Sequence, residues 1–194
     1  MSLCVLDLLV SSILGRPPAT STMQLECGQF PPNLDLPSSR MDASLVASYR
    51  MSLILDEITR QLYSERAASA DVAESLLAKL TRWSGQLPES LLAPPGDGQD
   101  HAAAQKQIIS SLHVACFYHF AVIVVTRPFL VSVLGVRLAR VHQGLSASDH
   151  VRPEEDPAHS KLSVACVDSA VYMIQTCLEI HQSQLLLNNM CLLK

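Results

Sequence analysis

Apolar positions along this chain recur mostly at intervals of three and four residues, the spacing that gathers side chains on one side of an α-helix. In the first segment Leu6, Leu9, Val10, Ile13 and Leu14 keep that rhythm, and Gly15 followed by Pro17 and Pro18 ends it. From Ala19 to Pro37 the periodicity lapses into Pro, Ser, Thr and Gly, the composition of an extended surface connector. It returns at Asp42, where Leu45, Val46, Tyr49, Leu53, Ile58 and Leu62 predict one broad face of a helix ending near Tyr63, with Asp56, Glu57 and Arg60 on the watered side. A further helix is predicted from a cap at Ser69 or Asp71, through Val72, Leu76, Leu77, Leu80 and Trp83, to a stop at Gly85 and Pro88.

Residues 91–100, with Ala-Pro-Pro-Gly-Asp-Gly at their centre, read as an exposed flexible loop. A helix follows from about Ala102 through Ile108, Leu112, Ala115, Cys116, His119 and Ile123, and Pro128 either kinks it or opens a new segment. The apolar character continues through Phe129 to Leu138, which predicts continued burial. Residues 143–157 form a second polar stretch and a second flexible loop. The last periodic segment runs from Lys161 to about Leu187, placing Leu162, Ala165, Cys166, Ser169, Ala170, Met173, Ile174, Cys177 and Leu178 on a face rich in small residues. The expected fold is therefore all-α, an irregular array of about six helices joined by Pro/Gly-rich loops and forming part of one domain over residues 1–194.

Composition narrows the function classes. The 194 residues are 48% hydrophobic and 5% aromatic, which favours helices packed through aliphatic side chains. A formal net charge of -4 lacks the cationic excess needed to neutralise phosphates, so DNA contact by this segment is not expected. The six cysteines include no C-x-x-C pair and sit mostly in apolar stretches, which reads as reduced, buried thiols. The longest apolar stretch, Val114 to Leu138, is interrupted by His119, Arg127 and Pro128, so a buried helix pair is expected rather than a membrane anchor.

No catalytic signature stands out. His113 and Cys116 share a helix face with His119 nearby, but two ligands do not make a zinc site and no third follows at zinc spacing. Nucleophile elbows, Gly-rich phosphate loops and the H-E-x-x-H pattern are missing from the sequence, and an enzyme is not expected.

Four stretches carry a resemblance. They are LDLLVSSILGRPPAT (6–20), LLAKLTRWSGQLPESLL (76–92), LHVACFYHFAVIVVTRPFLV (112–131) and VACVDSAVYMI (164–174). Their order resembles the fungal-specific transcription factor domain, the middle homology region downstream of binuclear zinc clusters. Within them Leu14, Gly15, Arg16 and Pro17, then Trp83, Leu87 and Pro88, then Arg127, Pro128 and Phe129 match the family's turns and helix ends. The resemblance implies a regulatory module in the nucleus, truncated at both ends relative to the family domain. It implies that zinc, and DNA contact, belong to an N-terminal cluster outside this chain, with no cofactor held here.

The resemblance also implies coregulator proteins or a small hydrophobic effector as partners, and the interrupted apolar run leaves no membrane partner expected. The Arg16 and Arg127 guanidiniums are expected to satisfy carbonyls at helix C-termini and to pair with carboxylates such as Asp7. A helical interaction scaffold or effector-binding domain without DNA binding of its own is the alternative. A concave apolar pocket would point to an effector, and an exposed apolar strip to a protein.

Overall fold

The computed structural model describes residues 43–63, 69–93, 101–144 and 156–182, together with Leu6, Asp7, Val10, Ser11, Ile13 and Ala19. The fold is all-α, with five helices and no strand among the described residues. They are α1 (Ala43–Tyr63), α2 (Ala70–Ser84), α3 (Glu89–Leu92), α4 (His101–Gly144) and α5 (Pro157–Gln182). With 44 residues, α4 is about 66 Å long and serves as the spine. Helices α1, α2 and α3 pack on it, α1 also packs on α2, and α5 lies along it in the most extensive contact of the fold.

The ends of α2 and the start of α5 have visible local causes. Ser69 occupies the position before α2 with extended backbone, but its carbonyl, not its hydroxyl, meets the helix, accepting from the Ala73 N–H at 3.0 Å. At the other end the Gly85 N–H donates to the Thr81 carbonyl at 3.1 Å, closing α2 where the glycine signal placed its end. Helix α5 starts with Pro157, whose missing N–H costs nothing in the first turn, and the Asp156 carboxylate accepts from the Ala158 N–H at 2.9 Å.

The core forms where α1 and α2 close on the middle of α4. Met51, Leu55 and Ile58 come from α1, Ala73, Leu76, Leu80 and Trp83 from α2, and Leu91 from α3. Ala121, Val122, Val124, Val125 and Phe129 come from α4 and Leu162 from α5. Burying one such aliphatic or aromatic side chain is worth about 1.5–3 kcal/mol, so this cluster rather than the surface carries the stability. Buried polar side chains bond locally: the Ser52 hydroxyl donates to the Tyr49 carbonyl at 2.7 Å, and Thr126 to the Val122 carbonyl at 2.7 Å. Polar ties then connect the helices: Lys79 pairs with Glu57 between α2 and α1, and the Gln107 side-chain amide donates to the Ser90 carbonyl at 3.0 Å, holding α3 against α4.

Several expectations change. Pro128 lies inside the continuous helix α4, so Arg127, Pro128 and Phe129 form no turn, and Arg127 sits in a helix interior rather than at a C-terminus. Packing of α1, α2 and α5 on α4 lets the helix run through the proline. Leu91 and Leu92 end the short helix α3 instead of opening a loop, α4 continues to Gly144, and α5 starts at Pro157. The remainder of the two polar stretches, residues 94–100 and 145–155, lies outside the described residues, as do Leu14, Gly15, Arg16 and Pro17.

Burial also departs from the simple apolar-inward rule. Leu53, Val131, Leu134 and Leu138 are exposed, and so are Leu6, Val10 and Ile13, while Ser11 is buried. Apolar residues need not face inward where a helix is apolar on more than one side. Residues 108–126 hold no Asp, Glu, Lys or Arg, and α4 and α5 each have the length and composition to cross a membrane, so His119 does not break the apolar run. In α4 the contacts of α1 and α2 cover part of that apolar surface, and 28% of its most apolar stretch is buried.

Candidate interaction face and the polar seam of the last helix pair

The two longest helices meet in antiparallel order: Ser132 lies beside His159, the Ile123 carbonyl faces Cys166, and His119 faces Ser169, so α5 ascends as α4 descends. The α5 side of this seam is Leu162, Cys166, Ser169, Thr176 and Ile180, all buried, with the small residues allowing close approach.

His119 is the polar centre of the seam. Its ring stacks on Tyr172 with centroids 4.1 Å apart, meets Tyr118 edge-on at 5.2 Å, and its Nδ1 lies 3.3 Å from the Ser169 hydroxyl. Burial lowers its proton affinity, so the ring is neutral at physiological pH and hydrogen-bonds as a neutral imidazole. One turn away Cys116 has its thiol pKa raised, first by burial and then by the nearby Cys177. Thiols held protonated in this way are poor nucleophiles. Cys116, Cys166 and Cys177 are free, and among the described residues no three His, Cys, Asp or Glu side chains converge on a point where a metal would sit.

The motif residues fall mostly in the core. Trp83 and Phe129 are buried, and the half-buried Leu87 packs on the same cluster. Pro88 is exposed and precedes the first turn of α3, where its fixed φ of -65° suits the position. Arg127 and Pro128 are half-buried in α4. Thus Trp83 and Leu87 join Phe129, distant from them in sequence, in one apolar cluster.

The feature missed from sequence lies on the outside of α5. Val164, Val167, Val171, Ile174 and Leu178 are all exposed and follow one another at separations of three, four, three and four. At 100° per residue this row stands roughly 160° from the buried seam. The expected small-residue face therefore merged two rows, because Ile174, Cys177 and Leu178 point outward while Leu162, Cys166 and Ser169 point inward. Charge is scarce along the helix and confined to Lys161, Asp168 and Glu179, whose spacing places them on one flank between the rows.

Comparison with known proteins adds no relative: no family model, curated protein or solved structure matches the chain.

Proposed function

We propose that the chain is the regulatory and interaction module of a fungal zinc-cluster transcription factor, acting in the nucleus on RNA polymerase II transcription. In this reading the chain works through a protein partner and leaves DNA contact to a zinc cluster outside it. Its support from sequence is the order of the four family-like stretches. The observation that carries the choice of a protein partner is the outward apolar row on α5, a strip of the kind that marks protein interfaces. Trp83, Leu87 and Phe129 have structural roles in this account, building the core against which α4 and α5 are held.

The test is a tethering experiment. The whole chain is fused to an unrelated sequence-specific DNA-binding domain and expressed in yeast beside a reporter carrying that domain's site. Reporter output should move away from that of the DNA-binding domain alone, and Val171→Glu, on the exposed row, should return it to baseline while protein level is unchanged. A fusion that reaches the nucleus and leaves the reporter unmoved would overturn the transcriptional reading.

A further inference from the structure

We infer that the outer row of α5 docks against the same row of a second copy of this chain, the two α5 helices running parallel and in register. This rests on reading that face as a protein-docking surface, and it names the partner.

The first ground is periodicity. An exposed apolar row at strict three-four spacing is the repeat that lets two helices interlock by knobs into holes. Val164, Val171 and Leu178 take one set of core positions, and Val167 and Ile174 the other. A helix that only lined the edge of a bundle needs one apolar row, and α5 already has it in Leu162, Cys166, Ser169, Thr176 and Ile180.

The second ground is the fit of the row to itself. Parallel, in-register pairing sets each of the five apolar residues against its own copy, whereas an antiparallel coiled coil, which alternates the two sets of positions, uses only four layers. Charge does not oppose the parallel choice. Within α5 the positions flanking the row pair Ser163 of one copy with Asp168 of the other, Ala170 with Gln175, and Cys177 with Gln182, so no like charges meet. Asp156 and Lys161 are engaged within one copy, Asp156 at the Ala158 N–H and Lys161 3.6 Å from Glu74 of α2. In the antiparallel register that opposes Val164 to Ile174, Asp168 faces its own copy.

The third ground is area. The five residues expose between 45% and 61% of their surface. They present on the order of 450 Å² per copy, within the range of the largest apolar patch on an ordinary monomer. Two copies together would bury about 900 Å² from these residues, and the polar flanks bring the total toward the roughly 1,200 Å² at which specific interfaces begin. The expected product is a reversible dimer with a Kd of about 1–100 µM rather than an obligate one.

Sedimentation equilibrium of the full 194-residue chain from about 1 to 200 µM tests this. A monomer–dimer equilibrium is expected, and Val171→Glu or Ile174→Lys, each on the solvent side, should raise the Kd at least about a hundredfold by placing an unpaired charge in the seam. Unchanged helical circular dichroism keeps those variants interpretable. Orientation is read from Val164→Cys: under mild oxidation the parallel pair gives a dimer cross-linked through residue 164, located by peptide mass spectrometry, and Val171→Glu abolishes it.

A chain that stays monomeric at 200 µM overturns the inference, as does a dimer that both seam variants leave intact. A monomer that co-sediments with phosphatidylcholine vesicles also overturns it and gives the face to a bilayer. The tethering assay separates the two proposals. A monomer that still moves the reporter leaves the face to a different protein, and a dimer with a silent reporter removes only the transcriptional reading.

Discussion

Replacing Phe129 by Ala tests the architecture at its most constrained point. Phe129 is the largest fully buried side chain among the described residues, 1% exposed, in the half of α4 that follows Pro128. Its ring meets the His159 ring edge-on at 5.0 Å, joining α4 to the start of α5. Truncation of a buried Phe costs about 3–5 kcal/mol from lost transfer energy and the cavity left behind, and the edge-on contact accounts for about 0.5–1.5 kcal/mol of it. At a urea dependence of about 2 kcal/mol per molar, the unfolding midpoint followed by helical circular dichroism should fall by about 1.5–2.5 M.

The control is two residues away. Val131 is 63% exposed, so Val131→Ala should change stability by less than about 0.5 kcal/mol. A helix broken at Pro128 would rotate these positions independently of the core, and the contrast between the two variants would shrink or reverse. A Phe129→Ala loss below about 1 kcal/mol, or equal losses for both variants, would refute a continuous α4 with this register.

Three further outcomes follow from the seam and from open space on α4. His119 has a lowered folded-state pKa, so as pH falls through about 6.5 the unfolded chain takes up a proton that the folded chain refuses. Its contribution to stability is thus present above that pH and is lost toward the folded pKa; urea midpoints at pH 7.5 and 5 should differ less in His119→Gln than in the parent, and equal differences would refute this. Cys177 is exposed while burial raises the Cys116 pKa, so brief iodoacetamide treatment at pH 8 should label Cys177 well before Cys116 by peptide mass spectrometry. A Cβ on Gly135 would meet nothing within 4 Å, so Gly135→Ala should stabilise the helix by about 0.4–1 kcal/mol in the same urea assay.

Helix type and order were legible because α1 and α2 each have one apolar side and clear stops. Leu76, Leu80 and Trp83 stand where the periodicity put them, and Gly85 ends α2. The finer face of α1 was less legible: Leu53 is exposed, while Met51, Ile54 and Leu55, which the helical spacing also allows, fill the core. Of the two readings open at Pro128, a kink or a new segment, the continuous helix α4 removes the new segment. A proline reads as a boundary from local sterics, yet a helix pinned on one side by α1 and α2 and on the other by α5 can absorb one lost hydrogen bond. In the candidate interaction face, Val164, Val167 and Val171 were visible as apolar letters, but their direction was not, because periodicity alone cannot distinguish two apolar rows on one helix from a single wide one.

That ambiguity has a physical meaning for α5. A helix apolar on nearly all sides is at rest in a protein interior or a hydrocarbon phase, and α5 is instead covered along one side only, by α4. The inner row is built for close approach, with Ser163, Ser169, Thr176 and Cys166 where a wide residue would push α4 away. The outer row is built differently, from Val, Ile and Leu only, whose branched side chains form the knobs of an interlocking contact. Two rows of different chemistry on one helix indicate two different neighbours. The first is α4. The second must be wide enough to need large side chains and apolar enough to do without charge, and the charges at Lys161, Asp168 and Glu179 are displaced to a flank where they leave the row clear. A copy of α5 itself meets both conditions, since it offers the same five residues at the same spacing.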